Sequence, residues 1–159
     1  SHGYKIKNKK SPVSFNDLQK LHTIIIEYEL SRYHQSLMHA TDDEVSVRLR
    51  EAIQRGVMIS KEEYFDCISR LDNLVNKFWK SFDTNDILIF PATPAPAPVK
   101  ETTGDPQLII PLTTLGGAIA TMNIGLINNM PVGIQLTARP GYDIALGQWS
   151  CQLEAINNH

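Results

Sequence analysis

The sequence predicts an α/β fold in which helices cover a mixed sheet of a few strands. Two observations lead to this prediction. Residues 14–82 carry apolar side chains at three- and four-residue steps, behind serine and threonine residues suited to cap helices. The following part contains three short apolar runs, at 87–90, 119–124 and 132–136, separated by proline, glycine and asparagine. Runs of this length are typical of strands.

Two helices are predicted in the first part of this helical region. Ser14 is suited to cap the first helix, which begins near Asn16 and extends to about Leu37. Thr41 opens the second capping signature, in which three acidic residues lie at the positive end of the helix dipole. Gly56 is expected to end this second helix, because glycine readily takes the left-handed closing conformation.

The third predicted helix has the most regular pattern in the chain. It begins behind Ser60, which opens another capping box. Its apolar face is formed by Tyr64, Ile68, Leu71, Val75, Phe78 and Phe82. This face is expected to lie over the strands.

The three apolar runs are interpreted as strands of one sheet. The run at 87–90 is unbroken between Asp86 and Pro91, which is the pattern of a strand covered on both faces. Pro91 and the prolines after it lack an N–H, so the strand ends there. The pair Asn128-Asn129 tolerates left-handed backbone and predicts a hairpin between the second and third runs.

The remaining segments complete the predicted organisation. Residues 100–106 are polar and form a loop, and Asp143 is suited to cap a last helix. The adjacent glycines Gly116 and Gly117 indicate a close backbone approach, either at a turn or beside a ligand. Gln135 lies within an apolar run and is expected to satisfy a neighbouring backbone group.

We predict that residues 4–159 form a single domain or a fragment of one. It comprises a helical part at 14–82, a strand-rich part at 86–138 and a C-terminal helix at 143–156. The first residues, Ser-His-Gly, lack an initiating methionine, so we expect the chain to be a piece of a longer protein.

The composition restricts the class of protein. Hydrophobic residues make up 42% of the chain and charged residues 20%, which is typical of a globular protein. The net charge of −2 gives no electrostatic reason to expect nucleic acid or an anionic membrane as a partner. No apolar run approaches the roughly 20 residues that cross a bilayer. Cys67 and Cys151 lie far apart, which favours two reduced thiols in a cytoplasmic protein.

A search for catalytic and metal-binding patterns gives no catalytic residue, no metal ligand and no cofactor. His34 and His39 are five residues apart, whereas two ligands on one helix face need a step of four. The chain has no phosphate-binding loop and no Gly-x-Ser-x-Gly nucleophile elbow. Cys67 lies in the middle of the third helix, where a packed thiol is the better interpretation.

Three segments carry a resemblance to a known family. They are Asp86-Ile-Leu-Ile-Phe-Pro91, Thr113-Thr-Leu-Gly-Gly-Ala-Ile119 and Met130-Pro-Val-Gly-Ile-Gln-Leu136. They resemble the C-terminal part of the amidase signature family, and the similarity extends over roughly residues 17–155. The most specific piece is Pro-Val-Gly-Ile-Gln-Leu.

The resemblance implies an amide C–N hydrolase that acts on small-molecule amides without a cofactor. The family uses a serine nucleophile, a second serine in a cis peptide and a lysine, all in a Gly/Ser-rich N-terminal half that is absent here. The chain alone is therefore not expected to catalyse, and would supply scaffold and one wall of the cleft. Some members hold the substrate with an arginine and an aspartate, for which Arg48 or Arg50 and Asp105 are the nearest counterparts, beside Gly116 and Gly117. Simple surface charges are the competing interpretation of these three side chains.

Two alternatives stay open. One is a non-catalytic binding or assembly module on the same scaffold, since Ala118 and Asn123 stand where the family commonly has proline. The other is a glutamine amidotransferase subunit, which would pass ammonia to a partner. A piece cut from a larger sheet should also expose strand edges and an apolar helix face, so we predict self-association.

Overall fold

The computed structural model describes residues 5–98 and 104–157, which form a three-stranded antiparallel sheet with helices on both faces. The elements in chain order are α1 (Phe15–Tyr33), a short 3-10 segment (Gln35–His39), α2 (Val47–Met58), α3 (Lys61–Lys80), β1 (Leu88–Pro91), α4 (Ile109–Thr114), β2 (Ala118–Ile127), β3 (Met130–Ala138) and α5 (Asp143–Asn157). The predicted α/β fold is confirmed. The strand order is β1-β3-β2.

Two buried clusters hold the layers together. The first cluster lies between one face of the sheet and α1, α3 and α4, and consists of Val13, Leu18, Phe78, Trp79, Leu112 and Leu115. The second lies between the other face and α5, and consists of Ala118, Met122, Leu136, Ala138 and Leu146. The third predicted helix, α3, therefore packs on the strands through its C-terminal half, whereas Phe65 near its start is 55% exposed.

The predicted caps of α1 and α3 are confirmed. The Ser14 hydroxyl accepts from the Asp17 N–H at 3.2 Å, and the Ser60 hydroxyl accepts from the Glu63 N–H at 3.0 Å. The predicted extension of α1 to about Leu37 is wrong. The helix ends at Tyr33 and tightens into the 3-10 segment, because the chain turns back there to place α2 beside α1.

The predicted start of α2 is also wrong. Thr41 and Glu44 do form a capping-box bond, since the Thr41 N–H donates to Glu44 Oε2 at 2.9 Å, but this bond closes only an isolated turn. The helix begins at Val47 behind Ser46, whose hydroxyl accepts from the Leu49 N–H at 3.3 Å. A capping box has the same local pattern whether a turn or a helix follows it.

Gly56 does not end α2, which continues to Met58. A Cβ atom on Gly56 would lie 1.8 Å from the Glu27 carbonyl oxygen on α1. The glycine therefore permits the close crossing of α1 and α2. An ion pair at this crossing, from Arg55 to Glu27 at 2.7 Å, reinforces the contact.

The hairpin between β2 and β3 is confirmed. Asn128 and Asn129 have φ angles of 52° and 60°, as a tight two-residue turn requires. The prediction that the first strand is covered on both faces is wrong. β1 lies at the edge of the sheet, and Ile89 is 54% exposed because α5 packs on β2 and β3 instead.

The predicted loop at 100–106 lies partly outside the described residues. Within the parts of the chain that are described, no helix has both the length and the apolar character needed to span a bilayer.

Candidate functional site

The turn between α4 and β2 is the most constrained of the segments predicted to face a ligand. Gly116 has a φ of 69°, and a Cβ atom there would have no neighbour within 4 Å. A Cβ atom on Gly117 would lie 2.6 Å from both the Trp79 ring and the Ala138 carbonyl oxygen. Gly117 is therefore required for packing, whereas Gly116 is exposed and presents open backbone.

Trp79 and Arg139 fix this turn to the end of α3. The Trp79 indole N–H donates to the Leu115 carbonyl oxygen at 2.9 Å. The Arg139 guanidinium, directly after β3, donates to the carbonyl oxygens of Trp79, at 2.6 Å, and Phe82. A cation at the C-terminal end of a helix interacts favourably with the helix dipole. The two side chains join α3, the turn and the end of β3 into one unit.

Gln135 connects the sheet to the segment before α4. Its side-chain amide is buried and donates to the carbonyl oxygens of Pro91 at 2.9 Å and Leu108 at 3.1 Å. The expectation that Gln135 satisfies neighbouring backbone groups is confirmed. It also places the end of β1 and the start of α4 at a fixed separation.

The two candidate arginines lie on α2, away from this turn. Arg50 donates to the Ala40 carbonyl oxygen at 2.5 Å and forms an ion pair with Asp42. Arg48 is exposed. The packing neighbours of α2 are α1 and the 3-10 segment. Arg50 therefore has a local partner that accounts for its charge.

Asp105 lies in the segment before α4, where it closes a turn. Its carboxylate accepts from the backbone N–H and from the side-chain amide of Gln107, both at 2.9 Å. The Gln107 carbonyl oxygen in turn accepts from Gln19 on α1 at 2.9 Å. Among the described residues no ion pair joins Asp105 to Arg48 or Arg50, so the structure does not bring the candidate charges together.

Two further features bear on binding. An open depression of about 490 Å³ runs along α1 and is lined by Asn16, Gln19, Lys20, Thr23 and Ile24, none of which is a candidate site residue. In the described ranges no three histidine, cysteine, aspartate or glutamate residues are grouped closely enough to hold a metal ion.

Sequence reasoning did not identify Trp79 and Arg139 as the residues that hold the turn. Trp79 was recognisable only as part of the broad apolar face of α3. The acceptors of both side chains are backbone carbonyls, which leave no signal in the residue types. Gly117 gave a signal of close approach, and the structure identifies Trp79 as the approaching group.

Comparison with curated proteins finds two relatives of the same kind, although no protein-family model matches the chain. The glutamyl-tRNA(Gln) amidotransferase subunits A of Pediococcus pentosaceus and Streptomyces avermitilis are 28% identical to it over 132 and 137 residues. These matches cover 77% and 71% of this chain. The chain spans only 27% of the length of either relative.

Comparison with solved structures finds the same fold in several amide hydrolases. A crystal structure described as an amidase matches 89% of this chain and 36% of its own, with a TM-score of 0.75 and 26% identity. A 6-aminohexanoate cyclic dimer hydrolase matches 94% of this chain and 37% of its own, with a TM-score of 0.75 and 20% identity. A bacterial aryl acylamidase of the amidase signature family matches 85% and 32%, with a TM-score of 0.65 and 17% identity. At these lower identities the last two matches show the fold alone.

Proposed function

This chain has the fold and the C-terminal sequence pattern of the amidase signature proteins, and we propose that it is the C-terminal segment of an amide-hydrolysing enzyme. The observation that carries this proposal is the match to an amidase over 89% of the chain at a TM-score of 0.75. The substrate class would be small-molecule amides. We also propose that the enzyme works in the cytoplasm, in line with the free thiols Cys67 and Cys151.

The proposed mechanism divides the work between this segment and chain outside it. Amide cleavage by a serine needs a base that takes the hydroxyl proton and donors that stabilise the developing oxyanion. We assign these groups, a Ser–cis-Ser–Lys triad, to the remainder of the enzyme. This segment would provide scaffold and one wall of the cleft, with Gly116 offering open backbone on a turn that Trp79 holds in place.

The candidate substrate contacts are Arg48, Arg50, Asp105, Gly116 and Gly117. Arg48 is the better of the two arginines, because its side chain is exposed and no acidic partner is recorded for it, whereas Arg50 pairs with Asp42. Asp105 would have to give up its bonds to Gln107 in order to reach a substrate.

A glutamine amidotransferase subunit is the second candidate function. Both curated relatives carry that name. Such a subunit would release ammonia from glutamine and pass it to a partner, whereas an amidase would release its amine or ammonia into solution.

The test uses the longer gene product that contains this segment. We expect ammonia or amine release from small amides, and labelling of one serine by a fluorophosphonate probe. Release from glutamine alone, increased by a co-purifying partner, would select the amidotransferase. Arg48→Ala should raise KM, with Lys20→Ala as the matched loss of an exposed cation. Absence of both hydrolysis and serine labelling would refute both functions and favour a non-catalytic module.

A further inference from the structure

Strand β2 leaves one edge of the sheet open. The strand order β1-β3-β2 pairs β2 with β3 on one side, and in the described part of the chain no strand pairs with its other side. Ala118–Ile127 contains no charged residue and no proline. Its exposed apolar side chains are Ile119 (37%), Ile124 (47%), Leu126 (64%) and Ile127 (50%). A long, uncharged edge of this kind is a template for pairing with another strand.

One face of β2 is open as well. Ala118 and Met122 point towards α5 and are buried in the second cluster. The alternate residues Ile119, Thr121 and Asn123 lie on the opposite face and are exposed. A strand added at this edge would therefore meet a half-covered surface that needs no rearrangement of the helices.

The opposite edge of the sheet is blunted. β1 is only four residues long and ends at Pro91, which has no N–H to donate. Pro94, Pro96 and Pro98 follow it closely. Short strands and prolines are the usual protection of an edge. Each chain thus offers a single edge that is competent for pairing.

We propose that β2 pairs antiparallel with β2 of a second copy of this chain, about a two-fold axis perpendicular to the sheet. The uninterrupted part of the strand is 118–123, because a bulge follows at Asn123–Gly125, where Asn123 Oδ1 accepts from the Gly125 N–H at 2.9 Å. A two-fold axis that keeps each face on its own side must pass through a residue, which places it at Ala120 or Thr121.

A second copy fits this edge for two reasons. Both strands are uncharged, so no like charges face each other across the pair. Because only one edge per chain is open, two-fold pairing closes at the dimer and does not grow into a fibre. Six residues span about 20 Å, so the shared edge is short. We therefore expect a weak, concentration-dependent dimer below the standard interface of roughly 1,600 Å².

Sedimentation velocity of the 159-residue chain over about a hundredfold range of concentration tests this proposal. We expect a monomer–dimer equilibrium that salt hardly changes, because the edge carries no charge. Ile119→Lys and Thr121→Lys should each weaken the dimer roughly tenfold or more, by placing a lysine on the paired strand. Ile144→Lys, an equal change at an 82% exposed position on α5, should leave the dimer intact. Circular dichroism and the thermal midpoint confirm that each variant is folded.

Four results would overturn the proposal. These are a monomer at every concentration, a folded Thr121→Lys variant that dimerises normally, growth beyond the dimer, and loss of the dimer in Leu126→Lys but not in Ile119→Lys. The last result would place the contact at the hairpin tip. The proposal does not depend on amide chemistry, so its failure leaves the proposed function untouched.

Discussion

The indole N–H of Trp79 donates a 2.9 Å hydrogen bond to the carbonyl oxygen of Leu115, 36 residues further along the chain. The bond joins the end of α3 to the turn that opens β2. Gly117 lies directly against the same ring, so the indole holds this turn by a hydrogen bond and by contact. The turn that carries the candidate ligand-facing backbone is thus positioned by a side chain from another layer of the fold.

Replacing Trp79 by phenylalanine should cost about 2–4 kcal/mol in the free energy of unfolding. The change leaves the buried Leu115 carbonyl oxygen without its donor and opens a void beside Gly117. Urea denaturation measures the loss. Trp149→Phe is the matched control, because Trp149 packs at the border of the second cluster and should lose less. Equal losses in the two variants would show that the hydrogen bond to Leu115 adds nothing.

Gly117→Ala should destabilise the protein by roughly 2 kcal/mol or more, because the added methyl group collides with the Trp79 ring and the Ala138 carbonyl oxygen. Gly147→Ala is the matched control, since it lies in α5 with open space around it. That change should stabilise the protein by about 0.5–1 kcal/mol, as alanine does in a helix. Thermal or chemical unfolding of the two variants should therefore shift in opposite directions.

Local signals in the sequence were enough to locate the caps and the hairpin. Ser14 and Ser60 cap helices with the bonds that their spacing predicted, and Asn128-Asn129 forms the tight turn. These features depend only on residues a few positions apart. Thr41 shows where this logic stops, because its capping bond forms and the helix nevertheless begins later.

The remaining features depend on contacts between distant elements. The apolar run of β1 resembles a strand buried on both faces, yet Ile89 is exposed because α5 packs elsewhere. Gly56 looked like the end of a helix and is the crossing point of two helices. Trp79 and Arg139 act on backbone carbonyls. Such partners are set by the packing of layers, which one sequence does not encode in any spacing.

The two cysteines should differ strongly in reactivity towards a disulfide reagent. Burial raises the pKa of the Cys67 thiol, and only 3% of the residue is exposed. Cys151 is exposed on α5. We expect Cys151 to react at once, and Cys67 on the order of a hundredfold more slowly, through opening of the fold. Absorbance of the released thiolate follows both reactions, and Cys151→Ser assigns the slow phase. A fast reaction in Cys151→Ser would contradict the buried position of Cys67.

Stability should fall at alkaline pH through Tyr64. Its hydroxyl donates to Glu29 at 2.9 Å, and this bond to a carboxylate raises the pKa of Tyr64 above its ordinary value of 10.0. A raised pKa means that the folded state favours the neutral phenol. The contribution is therefore complete below the ordinary pKa and is lost as pH rises through the folded value. Tyr64→Phe should flatten this decline between about pH 9 and 11, whereas Tyr142→Phe should not.

Gln135→Glu should be the most damaging single-atom exchange in the sheet. The buried amide donates to the carbonyl oxygens of Pro91 and Leu108, and a carboxylate at neutral pH would face both oxygens with no proton to share. We expect a loss of about 3 kcal/mol or more at neutral pH, measured by urea denaturation. Part of the loss should be recovered in acid, because the fold would raise the pKa of the new carboxyl above its usual value, and the neutral form can donate to one carbonyl. Gln148→Glu, at an exposed position on α5, should change stability little at either pH. A loss that stays constant from neutral to acidic pH would show that the cause is a change of shape and not the missing donor.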